Sequence, residues 1–429
     1  MKKFLIRAGM NPHDFKTPQD LIERDLIGTN SGNLLYAHSL YRNITTNDSI
    51  LEADKYVLDI NRVKYINENY DGYIIALADA FRNDFIWQLK KMTQIIEKLQ
   101  IPVYLIGVGV RAPYGTSKND LKFDFDENVR DFINAILKKS TIVGVRGKLT
   151  ADYLSNLGFR ENIDHTVIGC PSMYTFGNHL KIQNLSKVDE ETKITTNLSK
   201  KAPLNVLQFI RKTHKNYPNA AFIPQGYDEF KLMYTGVQVF NEKNYPSSIT
   251  DIEYENGKSK FYINANTWIK DFRENDFAIG TKLHGNIAAT ISGVPSISIP
   301  LDARMKELVH YHGLSHILPE DIQANTNIND LLKSVDIHSA ERKQSENYNH
   351  FIEFLNENDL PYFYQDESNY DNTPYDQLIE KIKLYPPISA FNSEETNIKE
   401  RINNIVIGNE KRIRNMNSLI KKQRTQLQK

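Results

Sequence analysis

In the first part of the chain, short apolar runs alternate with longer stretches whose apolar residues recur every three or four positions. Tyr73 to Leu77 is a run of the first kind and predicts a buried strand. A helical pattern follows through Trp87, Leu89, Met92, Ile95, Ile96 and Leu99. Pro102 to Val110 then reads as a second strand ending in glycines. Val129, Phe132, Ile133, Ile136 and Leu137 mark the next helix, and Thr141 to Val145 the next strand. A helix from Leu149 to Leu157 stops at Gly158, as a C-terminal glycine should. Thr166 to Gly169 closes the series as a strand leading into Pro171. Doubly buried strands separated by helices predict a parallel sheet covered on both faces.

The polar stretch Asn184 to Lys201 interrupts this rhythm and predicts a domain junction. Alternation resumes with a helix from Val206 to His214 and a strand from Ala220 to Pro224. A strand, Phe277 to Gly280, precedes a small-residue helix from Asn286 to Ser292 and a strand from Ser296 to Ile299. The expected fold class is therefore α/β, with two Rossmann-like domains, residues 1–188 and 189–340, and a cleft between them. Residues 341–429 form a helical C-terminal extension. In it Asn347 to Asn356 looks helical, Tyr370 to Tyr375 loop-like, and Ser393 to Lys429 a polar helix.

That last helix repeats Ile402, Val406, Asn409, Ile413, Met416, Ile420, Gln423 and Leu427 at alternating spacings of four and three, a heptad-like stripe. Lys411, Arg412, Arg414, Lys421, Lys422, Arg424 and Lys429 make its end basic. Three roles stay open: packing on the body, homo-oligomer formation, and weak docking on an anionic membrane surface. The first two fit better, because a strong apolar face is lacking.

Composition narrows the function classes. Fifty-three basic residues balance fifty-three acidic ones, so no nucleic-acid partner is expected, and any anion site must be a local cluster. The lone cysteine, Cys170, excludes an internal disulfide and fits a reducing compartment. The apolar run at the N-terminus is too short for a secretory signal. No stretch reaches the ~20 apolar residues needed to cross a bilayer. A cytoplasmic protein is expected, or one lying peripherally at the inner membrane face. Scattered histidines with one cysteine give no zinc spacing, so no metal is expected. His310, Tyr311, His312 and His316 read as structural. Gly107-Val108-Gly109 lacks the third glycine of a dinucleotide fingerprint.

Chemistry in a parallel sheet gathers at the C-terminal strand ends. Gly280-Thr281-Lys282-Leu283-His284-Gly285-Asn286 sits at one such end, combining a fixed charge, a group titrating near neutrality and a helix start. Lys282 and His284 share a side if the segment stays extended. Arg304 follows the next strand, where its guanidinium could fork onto a carboxylate or phosphate or simply pair with Asp302. Arg146 stands between Val145 and Gly147, again after a strand. The polar loop Gly28 to Leu34 resembles a phosphate loop without its lysine. Asn30, Gly32 and Asn33, with Arg111, are the candidates for holding sugar hydroxyls, while helix capping is the competing role for the loop.

Taken in order, these segments resemble the polysaccharide pyruvyl transferase family. The resemblance is carried by Asn30 to Asn33, Gly107 to Gly109, Val145-Arg146-Gly147, Gly169-Cys170-Pro171, Lys282-Leu283-His284, Gly293-Val294-Pro295 and Arg304, over about residues 28 to 315. It implies a GT-B-like fold and transfer of pyruvate from phosphoenolpyruvate onto a sugar of a cell-surface polysaccharide or its precursor, as a ketal. Phosphoenolpyruvate is then a co-substrate, and no cofactor is needed. The donor would lie on Arg146, Lys282 and Arg304, with His284 as the acid. The acceptor would be a glycan or a lipid- or nucleotide-linked sugar. Lysine stands at 282 where the family more commonly has arginine, and Cys170 where it more commonly has aspartate. Two other readings compete: a GT-B glycosyltransferase using a nucleotide sugar, and a non-catalytic sugar-binding member.

Overall fold

A computed structural model describes residues 1–113, 115–255, 257–392 and 397–427, with side chains in the last helix only as far as Lys421. Strands β1 (Lys2–Ile6), β2 (Ser49–Ala53), β3 (Gly72–Ala76) and β4 (Val103–Ile106) form a parallel sheet in the order β2-β1-β3-β4. Strands β5 (Val143–Val145) and β6 (His165–Val167) extend it, through a parallel bridge from Val108 to Val145 and a hydrogen bond from Gly107 N to Gly144 O at 2.8 Å. The predicted strand over Pro102 to Val110 ends at Ile106, because Gly107 takes φ +68°, a turn that β-carbon-bearing residues resist. No strand is predicted before Tyr73, yet β1 lies between β2 and β3. Phe4, Leu5 and Ile6 are all buried, so a five-residue strand suffices.

The second sheet has the order β11-β10-β7-β8, all parallel, from β7 (Ile194–Asn197), β8 (Ala221–Phe222), β10 (Phe277–Gly280) and β11 (Ser296–Ser298). Strand β9 (Lys260–Phe261) pairs antiparallel with β12 (Ile388–Ser389) outside it. Strand β7 falls inside the polar stretch read as a junction. Its threonines and asparagine are buried nonetheless, and Thr196 and Asn197 bond His214 and Asn286 within the domain.

The helix Ser339–Glu357 returns to the first domain. Its Phe351 stacks on Tyr174 with ring centres 5.0 Å apart, and Asn358 just beyond it accepts from Thr141 N at 3.1 Å. Within the segment read as loop, Thr373 and Asp376 form a capping box that starts the helix Pro374–Ile379. The buried Arg42 binds Asp376 there.

The final helix spans Ile398–Leu427. Arg401 reaches the carbonyls of Met233 and Ser389 at 3.2 and 3.3 Å, and Gly408 lies against Ile22. The stripe residues Ile402, Val406, Ile413, Met416 and Ile420 face outward and are exposed. Ser393 and Lys429 lie outside the described residues, as do the side chains of Lys422, Gln423, Arg424 and Leu427. Among the described residues no helix is long and apolar enough to cross a membrane.

Candidate functional site

Four strands of the two sheets end in the same place. After β5 the chain gives Arg146 and then Gly147, the N-cap of the helix Lys148–Asn156. After β4 it gives Gly107 to Gly109. After β10, Lys282 is the N-cap of the helix Leu283–Ile291, and after β11, Asp302 caps the helix Ala303–His312. Parallel strands direct such turns to one edge of each sheet, and the two edges meet here.

Glycine makes the meeting tight. A β-carbon on Gly109 would stand 3.4 Å from Arg146 Cδ and 3.6 Å from Arg304 Cδ, so arginines from different domains flank one backbone position. A β-carbon on Gly32 would stand 2.7 Å from His284 Cγ. The loop Gly28 to Leu34 of the first domain is fixed against the second by Ser31 N donating to Gln225 O at 2.8 Å and Tyr227 N to Thr29 O at 3.1 Å. The helix carrying His284 starts at Leu283 rather than Asn286, so Lys282 is extended while His284 lies in the first helical turn. Asn197 holds this start, accepting from Lys282 N at 2.6 Å.

The four basic groups differ in how they are satisfied. Arg146 is fully buried. Its Nε donates to Gly107 O at 2.7 Å and its guanidinium carbon lies 5.2 Å from the centre of the Tyr36 ring, but among the described residues both terminal nitrogens lack a hydrogen-bond partner. Buried donors of a charged group are costly without an acceptor. Arg304 is about one-fifth exposed, 3.4 Å from Asp302 and 4.0 Å from Asp79 of the first domain. Lys282 is half-buried. Burial lowers its pKa, Lys200 and Arg304 add to this, and Glu229 opposes it. Burial, followed by the fields of Arg146, Arg304 and Lys282, pulls the His284 imidazole well below the usual histidine range. Its Nε2 lies 3.7 Å from Cys170 Sγ. The structure thus brings Arg146, Lys282, His284 and Arg304 into one cation-rich crevice.

The residues predicted for the acceptor side divide. Asn33 donates to the carbonyls of Ile27 and Gly28 at 2.9 and 3.2 Å, and Asn30 accepts from Gly32 N at 2.8 Å, so both amides hold the loop together. Gly32 borders the imidazole directly. Arg111 binds Asp79, its Nε at 3.1 Å, and so adjoins Arg304. His312, read as structural, accepts from Cys170 N at 2.7 Å, and its burial holds its pKa down to about 3.

Two carboxylates of this site were missed in the sequence. Burial works against the charge of Asp79, yet Arg304, Arg111 and Arg82 hold its pKa below the ordinary value. It lies in the turn after β3, three residues beyond Ala76, where the strand-end rule could have found it. Glu307 accepts from Leu149 N and Thr150 N at 2.9 and 3.3 Å, and from Thr150 Oγ1 at 3.1 Å. Nothing local in the sequence signals that contact.

Comparison with known proteins adds a family. A family model described as polysaccharide pyruvyl transferase matches residues 19–302. No curated protein matches the chain. Among solved structures, HepE from Anabaena, in complex with UDP and glucose, is 12% identical. The match covers 83% of this chain and 99% of that one, with a TM-score of 0.44. UDP-GlcNAc 2-epimerase from Neisseria meningitidis, bound to UDP-GlcNAc, is 10% identical, over 83% of this chain and 100% of that one, with a TM-score of 0.43. A functionally uncharacterised protein of Klebsiella pneumoniae is 14% identical over 72% and 88%, with a TM-score of 0.36.

Proposed function

Because the chain belongs to the polysaccharide pyruvyl transferase family, we propose that it moves the pyruvyl group of phosphoenolpyruvate onto two hydroxyls of a sugar, leaving a cyclic ketal and inorganic phosphate. The observation that carries this reading is the buried Arg146 guanidinium, whose two terminal nitrogens have no hydrogen-bond partner among the described residues, beside Arg304 and His284. Phosphoenolpyruvate sets a carboxylate and a phosphate on a very small skeleton. Cations from both sides of a narrow crevice suit it better than one long groove would.

In this reading Arg146, Lys282 and Arg304 neutralise the two anionic groups and stabilise the phosphate as it leaves. Charges fixed before reaction need no reorganisation, which is where most of the rate comes from. Arg146 is closed off from solvent, so the donor enters when the domains part and is gripped when they close. His284 is held neutral by burial and by its cationic neighbours. A bound trianion cancels that field and lets the imidazole take up a proton. His284 then protonates the methylene carbon while a sugar hydroxyl attacks the adjacent carbon and returns a proton to the imidazole. Departure of phosphate and attack by a second hydroxyl close the ketal. One hydroxyl proton ends in the new methyl group and the other on phosphate.

The acceptor is a glycan or a lipid- or nucleotide-linked sugar, entering past the Gly32 loop over His284. Incubation with phosphoenolpyruvate and a panel of model glycosides, read by phosphate release and product mass, tests the reaction. A product heavier than the acceptor by a pyruvate ketal is expected. Stabilisation by a nucleotide sugar, with phosphoenolpyruvate inert, would favour glycosyl transfer instead.

A further inference from the structure

The helix that starts two residues after Arg146, at Lys148, has no side-chain cap of its own. Gly147 occupies its N-cap and carries no side chain to bond the first amides. The first amides of this helix therefore find no acceptor on its own N-cap residue. Here the acceptor comes from the other domain. Glu307 lies one turn beyond Arg304 on the helix Ala303–His312 and accepts from Leu149 N, Thr150 N and Thr150 Oγ1. A β-carbon on Gly147 would come within 2.5 Å of Glu307 Oε2, so the glycine also makes room for the carboxylate.

We infer that Glu307 is a positioning residue that sets Arg146 of the first domain in register with Arg304 of the second, assembling the anion site only when the cleft is closed. The inference depends on the donor reading above for the identity of the anion, but not for the geometry. Each arginine is tied to one end of a single bridge. Arg146 adjoins the helix start that Glu307 caps, and Arg304 is three residues before Glu307 on its own helix. Arg146 also contributes to the electrostatics of the Glu307 carboxyl, which places charge as well as shape in the bridge. Without Glu307 the two halves remain folded, and the helix start beside Arg146 loses its tie to the helix that carries Arg304. A donor that needs both arginines then binds a poorly assembled site.

Binding of phosphoenolpyruvate and of inorganic phosphate is measured by calorimetry, with thermal stability in parallel, for the full chain and for Glu307→Gln, Glu307→Ala and the double variant Glu307→Ala with Gly147→Ser. The serine restores a local helix cap but not the tie between domains. Both single variants should weaken anion binding by roughly tenfold or more. The double variant should regain thermal stability while its anion affinity stays weak. Recovery of affinity together with stability would reduce Glu307 to a helix cap and overturn the inference, as would unchanged affinity in both single variants. If the wild-type chain binds phosphate but not phosphoenolpyruvate, the donor reading fails, while the phosphate comparison still decides the role of Glu307.

Discussion

Arg146 states the trade between stability and function most directly. A guanidinium with two buried, unpartnered nitrogens destabilises an empty site by about 1–3 kcal/mol. Arg146→Met should therefore raise the melting temperature while abolishing binding of phosphoenolpyruvate. A lower melting temperature would show that the group is structurally satisfied. At His284 the proton is the observable. Its pKa in the free protein lies well below the ordinary value, so donor binding near neutral pH should take up a proton. Calorimetry in two buffers of different ionisation enthalpy reads that uptake, and identical heats would contradict it. Arg146, Lys282, His284 and Arg304 were all legible in the sequence, because each lies in the turn or helix start that follows a strand, where a parallel sheet presents its ligands. The orphaned state of Arg146 was not, since it depends on which carbonyl its Nε finds. Asp79 also stands in a turn after a strand, but its link to Arg304 and Arg111 depends on the fold.

At the scale of elements, the strand–helix alternation was readable wherever local signals agreed, as in β10, Lys282 and the small-residue helix. It failed for β1 and β2, whose burial comes from neighbours distant in sequence, and for β7, whose Thr196 and Asn197 side chains bond His214 and Asn286 inside the domain. The same blindness applies to Glu307, whose amide partners lie 157 and 158 residues earlier. Its pH behaviour follows from the environment of the carboxyl. Desolvation raises the pKa from 4.5 to about 7, against the pull of the Thr150 and Leu149 amides, the Thr150 hydroxyl and Arg146. Below pH 4.5 the group is protonated, folded or unfolded, and costs nothing. As pH rises to about 7 the unfolded chain loses its proton first, so stability falls across that window and levels off above it. The change is at most roughly 3 kcal/mol. Glu307→Gln should flatten that part of the stability–pH curve, and an unaltered slope in denaturant titrations would contradict the assignment. Gly32→Ala tests the other interdomain contact. Its methyl group would push on the His284 ring, so turnover should fall by about 10² or more with the fold retained.

Across the whole molecule, the C-terminal segments brace the domains rather than complete the site. The helix Ser339–Glu357 packs on the first domain, and the start of the final helix packs on the second through Arg401 and Ile405. Truncation after Asn392 should lower the melting temperature by a few degrees, because Ile22 and the carbonyls of Met233 and Ser389 lose their partners. Truncation after Asn409 keeps those contacts and should leave it nearly unchanged, as thermal scans of the two chains would establish. Both bodies then converge on one crevice rich in positive charge. The most direct measurement is phosphate release from phosphoenolpyruvate in the presence of an acceptor glycoside, for the wild-type chain and for His284→Ala. The account predicts steady release by the wild type and a loss of about 10²–10⁴-fold in the folded variant. Near-normal release without the imidazole would contradict it.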